Sequence, residues 1–318
     1  MANQQPLKPV FFVNQFEHEV TRGISNNNIP MENLTLPINV TAYNIEHEPG
    51  SISYNFNLKS ILGENAFLAI LGHDLATKQF KYIMAQNELE DVNFNDGSND
   101  IDFNGHGSPI RDGFSISTFT ASSGNFNLTI YYDGPSTGLD HTINLGNFFI
   151  GDYYIMDHSP ELSLTMERQL DGLVKRKTPS GAELIGYKYL KSPPWGIRSA
   201  WEQGATGTKL SRPGRRIWTL TFKALMNTSI FPKFSLQSTH GTYYDDNVWS
   251  SNLCLLESND FYSKVVNRVG TRSPFIFLPD STNMSADSWA IAKFDGPFRY
   301  RQESNNVMAI TLKIKEVW

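Results

Sequence analysis

Residues 305–318 read NNVMAITLKIKEVW, and they form the clearest single strand pattern of the chain. Side chains alternate between the two faces of a strand, and here every second residue is apolar. The apolar positions are Met308, Ile310, Leu312 and Ile314, and the alternate positions include Thr311, Lys313 and Lys315. Most domains end in loose polar residues. A strand that runs on to Trp318 therefore predicts that the last residue of the sequence is packed.

The composition around this strand favours β-sheets. Of 318 residues, 40% are hydrophobic, 13% are aromatic and only 19% are charged. Aromatic and β-branched residues separated by Gly and Asn are typical of strands and turns. A chain of this length is long enough for two domains. The net charge of −5 argues against a nucleic-acid-binding surface that dominates the protein.

The first half of the chain predicts an antiparallel sandwich. Short strand candidates separated by turn signals recur from residue 34 to 156. The segment FNLTIYY (126–132) shows the pattern well, because Phe126, Leu128 and Ile130 share one face. We expect a jelly-roll or galectin-like β-sandwich over 34–156, preceded by an N-terminal arm or linker at 1–33.

Residues 157–318 predict a second domain of α+β type. Strand patterns precede a Pro- and Gly-rich loop at 191–216, and RRIWTLTFKAL then resumes the sheet. Apolar residues at helical spacing predict one main helix at about 249–269, closed by Gly270. Further strands, including the closing one, follow. The fold class is thus mainly β, with a single main helix against a sheet.

Five segments in this second half resemble, in their order, a pattern found in structural proteins at the tail tips of tailed bacteriophages. They are NLGNFFIGDYYIMDHSPELSLTMERQLDG (144–172), GRRIWTLTFKAL (214–225), SPFIFLPDSTN (273–283), SWAIAKFDG (288–296) and VMAITLKIKEVW (307–318). In that family an apolar strand ends a jelly-roll segment, and a strand ending in Trp closes the chain. The resemblance covers residues 144–318, whereas 34–143 share only the sandwich character.

The resemblance implies a distal-tail or minor-tail protein with a tail-tube-like domain over 157–318. Such a protein assembles with itself into a ring, expected to be a hexamer, at the end of the tail tube, and contacts tail tube, hub or fibre proteins. The jelly-roll domain would decorate the outside and contact polysaccharide of the host cell surface. The implied location is the tail of the virion, after synthesis in the host cytoplasm. Trp318 would be buried where the final strand pairs in the ring or in the tube-like sheet; the alternative is an ordinary closing strand on the core of a single subunit.

The loop at 191–216 is the candidate interface. It combines Trp195 and Trp201, a residue type enriched at binding hot spots, with Arg212, Arg215 and Arg216. Long loops without secondary structure are either functional or disordered. The loop therefore anchors an interface between subunits, or it lines a tube lumen or rests on the next ring.

Two other features suggest ligands. Tyr131 and Tyr132 are candidate glycan-stacking residues, with packing on a strand face as the alternative. The Asp- and Asn-rich loop at 91–105 resembles a calcium loop, but it lacks the closing Glu of an EF-hand, so a solvated loop is the other interpretation.

The remaining motifs favour no catalysis. The seven histidines are scattered without metal-site spacing, and the single cysteine, Cys254, excludes an intrachain disulfide. Catalytic and nucleotide-binding motifs are missing, so we expect neither an enzyme nor a cofactor. The start shows no signal-peptide pattern, and no apolar run is long enough for membrane insertion. The alternative functions are a free carbohydrate-binding, lectin-like module and an enzyme acting on surface polysaccharide.

Overall fold

The fold is taken from a computed structural model. The residues that it describes are 8–15, 41–45, 51–57, 63–86, 90–91, 112–121, 125–132, 134, 141–161, 165–169, 173–187, 215–231, 259–283 and 288–317. Structural statements below concern these residues.

The described residues are mainly β, as the composition predicts. The strands are β1 (Val10–Asn14), β2 (Thr41–Ile45), β3 (Ser51–Asn57), β4 (Gly63–His73), β5 (Phe80–Gln86), β6 (Glu90–Asp91), β7 (Gly113–Ala121), β8 (Asn125–Tyr132), β9 (His141–Leu145), β10 (Asn147–Ile155), β11 (Thr165–Gln169), β12 (Leu173–Lys177), β13 (Glu183–Tyr187), β14 (Arg215–Met226), β15 (Phe275–Leu278), β16 (Ala290–Phe294), β17 (Arg299–Ser304) and β18 (Val307–Glu316). The helical elements are α1 (Asn227–Ile230) and a π-helical turn (Tyr262–Val266) that continues into Asn267–Val269; the last two together are called α2.

Ten of these strands form one antiparallel sheet, the main sheet. Its order is β11-β14-β18-β16-β15-β1-β10-β4-β7, and β17 also pairs with β18. The sheet contains strands from both sides of the predicted boundary between residues 156 and 157. The two predicted domains therefore share one sheet.

Strand β1 lies in the centre of the main sheet, between β10 and β15. The interpretation of residues 1–33 as an arm or linker is wrong at Val10–Asn14. All five residues of β1 are buried. A strand covered on both faces reads as a continuous apolar run rather than as an alternation. The run VFFV at 10–13 therefore lacks the period of two that marks a half-exposed strand.

The main sheet is strongly curled. Five strand spacings of about 4.8 Å would place β16 and β7 about 24 Å apart in a flat sheet. Nevertheless the ring of Trp289, next to β16, lies 6.3 Å from that of Phe114 in β7 and 5.5 Å from that of Phe12 in β1. Trp289 is 2% exposed. The concave face thus encloses an aromatic core, in which Trp289 packs between the β16 end and the β7 end of the sheet.

The convex face packs against two different layers. Phe11 of β1 contacts Phe261 at the start of α2, with ring centroids 5.3 Å apart. Beside β7, the four-stranded sheet β3-β8-β5-β6 approaches through a hydrogen bond of 2.7 Å between the hydroxyls of Tyr82 and Ser117. The strands of residues 41–155 thus belong to three sheets: the main sheet, this four-stranded sheet and the pair β2-β9.

Helix α2 occupies the end of the predicted helix at 249–269, of which residues 249–258 lie outside the described part. Asp260 caps it: the backbone N–H of Ser263 donates to Asp260 Oδ1 at 2.9 Å, and its hydroxyl donates to Oδ2 at 2.8 Å. Val265 and Val269 are buried, so the helix closes the core over β1 and β15.

Strands β16 and β17 pair one after the other with the same edge of β18, and a bulge separates them. Both run antiparallel to β18, since Phe294 pairs with Ile314 and Arg299 with Thr311. Four residues, 295–298, thus lie opposite two residues of β18. Gly296 in the bulge has a φ of 131°, a value that glycine tolerates best. The bulge brings the Phe298 ring to 6.1 Å from that of Phe261.

Candidate assembly surface

The closing strand β18 shows the predicted alternation. Met308, Ile310, Leu312 and Ile314 are buried, whereas Thr311 and Lys313 are exposed. The strand pairs along one edge with β14 and along the other with β17 and β16. Its apolar face is therefore covered within a single copy of the chain.

A buried ion pair fastens the end of β18 to the start of β14. Arg216 Nη2 lies 2.9 Å from Glu316 Oε1, and Arg216 Nε donates to Oε2 at 3.1 Å. The backbone N–H of Arg216 also donates to Oε2, at 2.9 Å. Arg216 and Glu316 are 8% and 3% exposed. A charge left alone at such depth is costly, so each partner depends on the other.

Strand β16 joins the same network. Arg216 Nη2 donates a second hydrogen bond to the carbonyl of Trp289, and the guanidinium carbon lies 5.1 Å from the centre of the Trp218 ring. The backbone N–H of Val317 donates to the carbonyl of Ile291 at 2.8 Å. The chain is thus held in place up to Val317, one residue before Trp318.

These contacts change the predicted interface. Arg215 and Arg216 belong to β14 and not to the predicted loop at 191–216. Arg216 is engaged inside the chain, so its assignment to an interface with another subunit is wrong, and Arg215 is half-buried. The other four predicted interface residues lie outside the described part: Trp195, Trp201, Arg212 and Trp318.

Strand β11 forms one end of the main sheet. It pairs with β14 on one side, and no described strand pairs with its other side. Thr165, Met166 and Glu167 are exposed, and Met166 is 53% exposed. An open strand edge presents unpaired backbone N–H and C=O groups. β11 is therefore an edge at which another strand can pair.

A two-stranded hairpin follows β11 after three residues. Strands β12 and β13 pair only with each other among the described strands. Lys175, Arg176 and Lys177 are all exposed, and none has a side-chain hydrogen bond or ion pair with another described residue. On β13, Leu184 is 58% exposed. The hairpin is a basic, exposed arm that follows β11 in the sequence.

The tip of this hairpin is nevertheless well formed. The backbone N–H of Thr178 donates to the Ala182 carbonyl at 2.8 Å, and that of Gly181 donates to the Thr178 carbonyl at 2.9 Å. Gly181 has a φ of 88°, a conformation that favours glycine. Since an isolated two-stranded hairpin is marginally stable in water, this arm gains most from a partner.

A second buried charge cluster connects α2 to β10. Asp152 Oδ2 lies 2.8 Å from Lys264 Nζ and 3.0 Å from an Arg268 nitrogen. All three side chains are largely buried. Next to Asp152, a Cβ on Gly151 would lie 2.0 Å from the carbonyl oxygen of Val13. The cluster and the close approach of β10 to β1 serve the scaffold, deep below the surface.

The predicted glycan residues do not form one platform. Tyr131 and Tyr132 are successive residues of β8, so their side chains point to opposite faces of the strand. Tyr132 shares its face with the buried Leu128 and Ile130, and its ring lies 5.3 Å from that of Phe80. Both tyrosines are half-buried. The two tyrosines therefore have separate surroundings, and glycan contact by either one stays a prediction.

His73 is the most perturbed histidine described. Its Nδ1 accepts a hydrogen bond from the backbone N–H of Leu75 at 3.3 Å, so Nε2 carries the proton and donates to the Ser115 hydroxyl at 2.9 Å. Burial lowers the pKa of His73 to about 4, although nearby Asp112 acts in the opposite direction. The ring is thus a neutral, hydrogen-bonded part of the core.

The described residues contain no group of three or more His, Cys, Asp or Glu side chains that could hold a metal ion. Residues 92–105 of the predicted cation loop lie outside the described part. No helix of the described part is long and apolar enough to span a bilayer.

Comparisons with known proteins add no relative. The chain matches no protein-family model, no curated protein and no solved structure.

Proposed function

We propose that this chain is a structural protein of a bacteriophage tail tip, a distal-tail or minor-tail protein that forms a ring, a hexamer, at the end of the tail. The proposal rests on the resemblance of residues 144–318 and on a mainly β architecture. The jelly-roll identity of 34–156 and the tail-tube-like identity of 157–318 are parts of the same proposal. Neighbouring tail proteins and host-surface glycans are its partners.

The observation that supports assembly is the open edge of β11, which a basic hairpin follows in the sequence. Strand addition to an open edge gives affinity through main-chain hydrogen bonds. An edge that pairs with a different surface of the next copy makes a head-to-tail contact, and such contacts close into rings when the rotation permits. The β11 edge and the hairpin therefore take the place of Arg216 in the proposed interface.

The hairpin also carries the right charge for a contact with another copy. Residues 173–187 contain three cations, Lys175, Arg176 and Lys177, and one anion, Glu183, which gives a net charge of +2. The whole chain has a net charge of −5, so the other residues together carry −7. A positive arm on a negative body favours association between copies and makes it sensitive to salt.

The experiment is the oligomeric state of the purified chain, measured by size-exclusion chromatography with light scattering and by negative-stain electron microscopy. We expect a closed ring that the exchange Met166→Lys converts to monomers, because a charge on an edge strand opposes pairing. Met226→Lys is the matched control, since Met226 is 65% exposed and lies outside β11.

A chain that stays monomeric at high concentration, and that does not join tail tubes when mixed with them, contradicts the proposal. A strict monomer with sugar affinity supports the free lectin-like module. A ring that Met166→Lys and Met226→Lys affect equally keeps the assembly but removes β11 from the interface.

A further inference from the structure

A shallow trough runs along the exposed face of β18, between β17 and β14. The register places Arg299 of β17, Thr311 of β18 and Thr221 of β14 in one row across the three strands. In the adjacent row Arg301 pairs with Ala309. The small residues on β18 form a low floor. The long side chains on the two outer strands form the walls.

The trough opens into a larger cavity of about 740 Å³. Arg299, Arg301, Lys223, Thr221, Thr311 and Lys313 line the cavity on the trough side, and Val266, Phe298 and Tyr300 line it on the other side of the bulge. Two strand spacings separate the walls of the trough by about 10 Å, and Arg299 and Arg301 are about 7 Å apart along β17. These dimensions suit a single extended chain lying along β18.

The charges along the trough alternate in sign. Lys313 Nζ lies 2.9 Å from Asp295 Oδ2, and Lys223 Nζ lies 2.8 Å from Glu161 Oε2. Arg301 pairs with Glu303 through an Nε–Oε1 hydrogen bond of 3.1 Å. These exposed pairs contribute little stability, so a ligand can compete for either partner at small cost.

Arg299 is the exception. It is exposed, and its side chain has no hydrogen bond or ion pair with another described residue. Four cations line the cavity with two carboxylates, Asp295 and Glu303, and Glu161 pairs with Lys223 from outside the lining. Arg299 is the lining cation that has no carboxylate partner among the described residues. A site with one unpaired guanidinium fits a ligand that carries isolated anionic groups.

We propose that this trough binds an acidic saccharide chain, one in which carboxylate-bearing sugars are separated by neutral ones. Arg299 pairs with the carboxylate, the hydroxyls of Thr311 and Thr221 bond to sugar hydroxyls, and the three acceptor carboxylates do the same. Dense polyanions are disfavoured by those carboxylates. The outward-facing register positions of β14, β17 and β18 in the trough carry no aromatic side chain, whereas single-stranded nucleic acids bind by stacking bases on aromatic rings. The aromatic residues of the same cavity, Phe294, Phe298 and Tyr300, line it from the other face of the sheet.

The site goes beyond the proposed ring, and it does not depend on assembly. It lies on β14, β17 and β18, whereas the proposed interface lies on β11 to β13. It also differs from the predicted glycan residues Tyr131 and Tyr132, which are on β8. Loss of binding and loss of the ring can therefore be observed separately.

The test is isothermal titration of the full chain with a hyaluronan hexasaccharide, which alternates acidic and neutral sugars. Maltohexaose is the neutral probe and a twelve-nucleotide oligothymidylate is the polyanion. We expect binding to hyaluronan alone, with a log–log salt slope of about −1 because one cation is neutralised. An oligonucleotide that engaged about four cations would give a slope of about −3.

Two variants and a control assign the residues. Arg299→Glu should weaken hyaluronan binding by about tenfold or more, and Thr311→Val by a few-fold, both with unchanged melting temperature. Arg176→Glu makes the same change of charge on the hairpin, outside the residues that line the cavity, and should leave the affinity within about twofold. No binding to hyaluronan, or equal effects of Arg299→Glu and Arg176→Glu, would overturn the proposal. Binding to oligothymidylate alone would replace it with a nucleic-acid site.

Discussion

The centre of the main sheet and its β11 end use the same antiparallel pairing in different surroundings. At the centre, β1, β10 and β15 are buried on both faces. At the β11 end, the described side chains are exposed and the backbone edge is open. Burial decides what each region can do: the centre carries the stability, and the edge remains available to another molecule.

The largest loss of stability is expected when a methyl group is added at the buried centre of the main sheet. Gly151→Ala places a Cβ against the Val13 carbonyl, so β10 and β1 must separate, and we expect the free energy of unfolding to fall by about 4 kcal/mol. Urea denaturation followed by tryptophan fluorescence measures it. Gly181→Ala at the hairpin tip meets no atom within 4 Å, and its strained φ should cost only about 1 kcal/mol. Equal costs for the two exchanges would contradict the contrast.

The next largest effect is expected when a buried ion pair is broken, and an exposed ion pair provides the comparison. Glu316→Gln leaves the buried Arg216 without its counter-charge, and we expect a loss of about 3 to 4 kcal/mol in the free energy of unfolding. Asp295→Asn breaks the exposed pair with Lys313, whose side chains are 53% and 42% exposed, and should cost under about 0.5 kcal/mol. The same denaturation experiment compares the two. A small effect of Glu316→Gln would show that water reaches the Arg216 site.

The pH dependence of stability tests the buried His73. Its pKa is about 4 in the folded chain against 6.5 as the ordinary value. Between these values the unfolded chain binds the proton and the folded chain does not. Stability is therefore complete above pH 6.5 and falls as the pH drops towards 4, by about 3 kcal/mol from this group.

Denaturation between pH 4 and 7 measures this slope, and His73→Gln is the informative variant. It should be less stable at pH 7 but should lose the His73 part of the slope. An unchanged slope in the variant would assign the acid sensitivity to other groups.

The smallest effect is expected at the hairpin. Reversing the charges of Lys175, Arg176 and Lys177 to Glu should change the free energy of unfolding by less than about 0.5 kcal/mol, because these side chains contact no core. Hydrogen exchange should show the amides of β12 and β13 exchanging long before those of β1. Protection of the hairpin equal to that of β1 in the monomer would show that the arm belongs to the cooperative core.

The sequence predicts best the strands that have one buried face and one solvent-exposed face. β18 and β14 show the alternation because their outer sides are polar, and both strands were recognised from it. β1 is buried on both faces. Its apolar run therefore has no period of two, and the sequence predicts an arm at this position. Its partners, β10 and β15, are distant in sequence, and no local pattern records that pairing.

The candidate sites are harder to predict, because they depend on how deeply each side chain is buried and on which residues lie opposite it. Arg216 has the composition of a surface residue, yet the register of β14 against β18 places it opposite Glu316 inside the chain. Tyr131 and Tyr132 are adjacent in sequence but lie on opposite faces of one strand, which the period of two already implied. The trough depends on three strands in register, and its one sequence signal was the alternation of Arg299 and Arg301 in β17.

The central position of β1 sets the order in which the chain can complete its fold. Residues 10–14 are synthesised well before their partner β15, which ends at Leu278. At about 5 to 20 residues per second, β1 waits roughly 13 to 50 seconds for that neighbour during synthesis. During this interval β1 has no partner until β10 has been made, and then it is paired along one edge only. Newly made chains should therefore depend on chaperones until the C-terminal third has been translated.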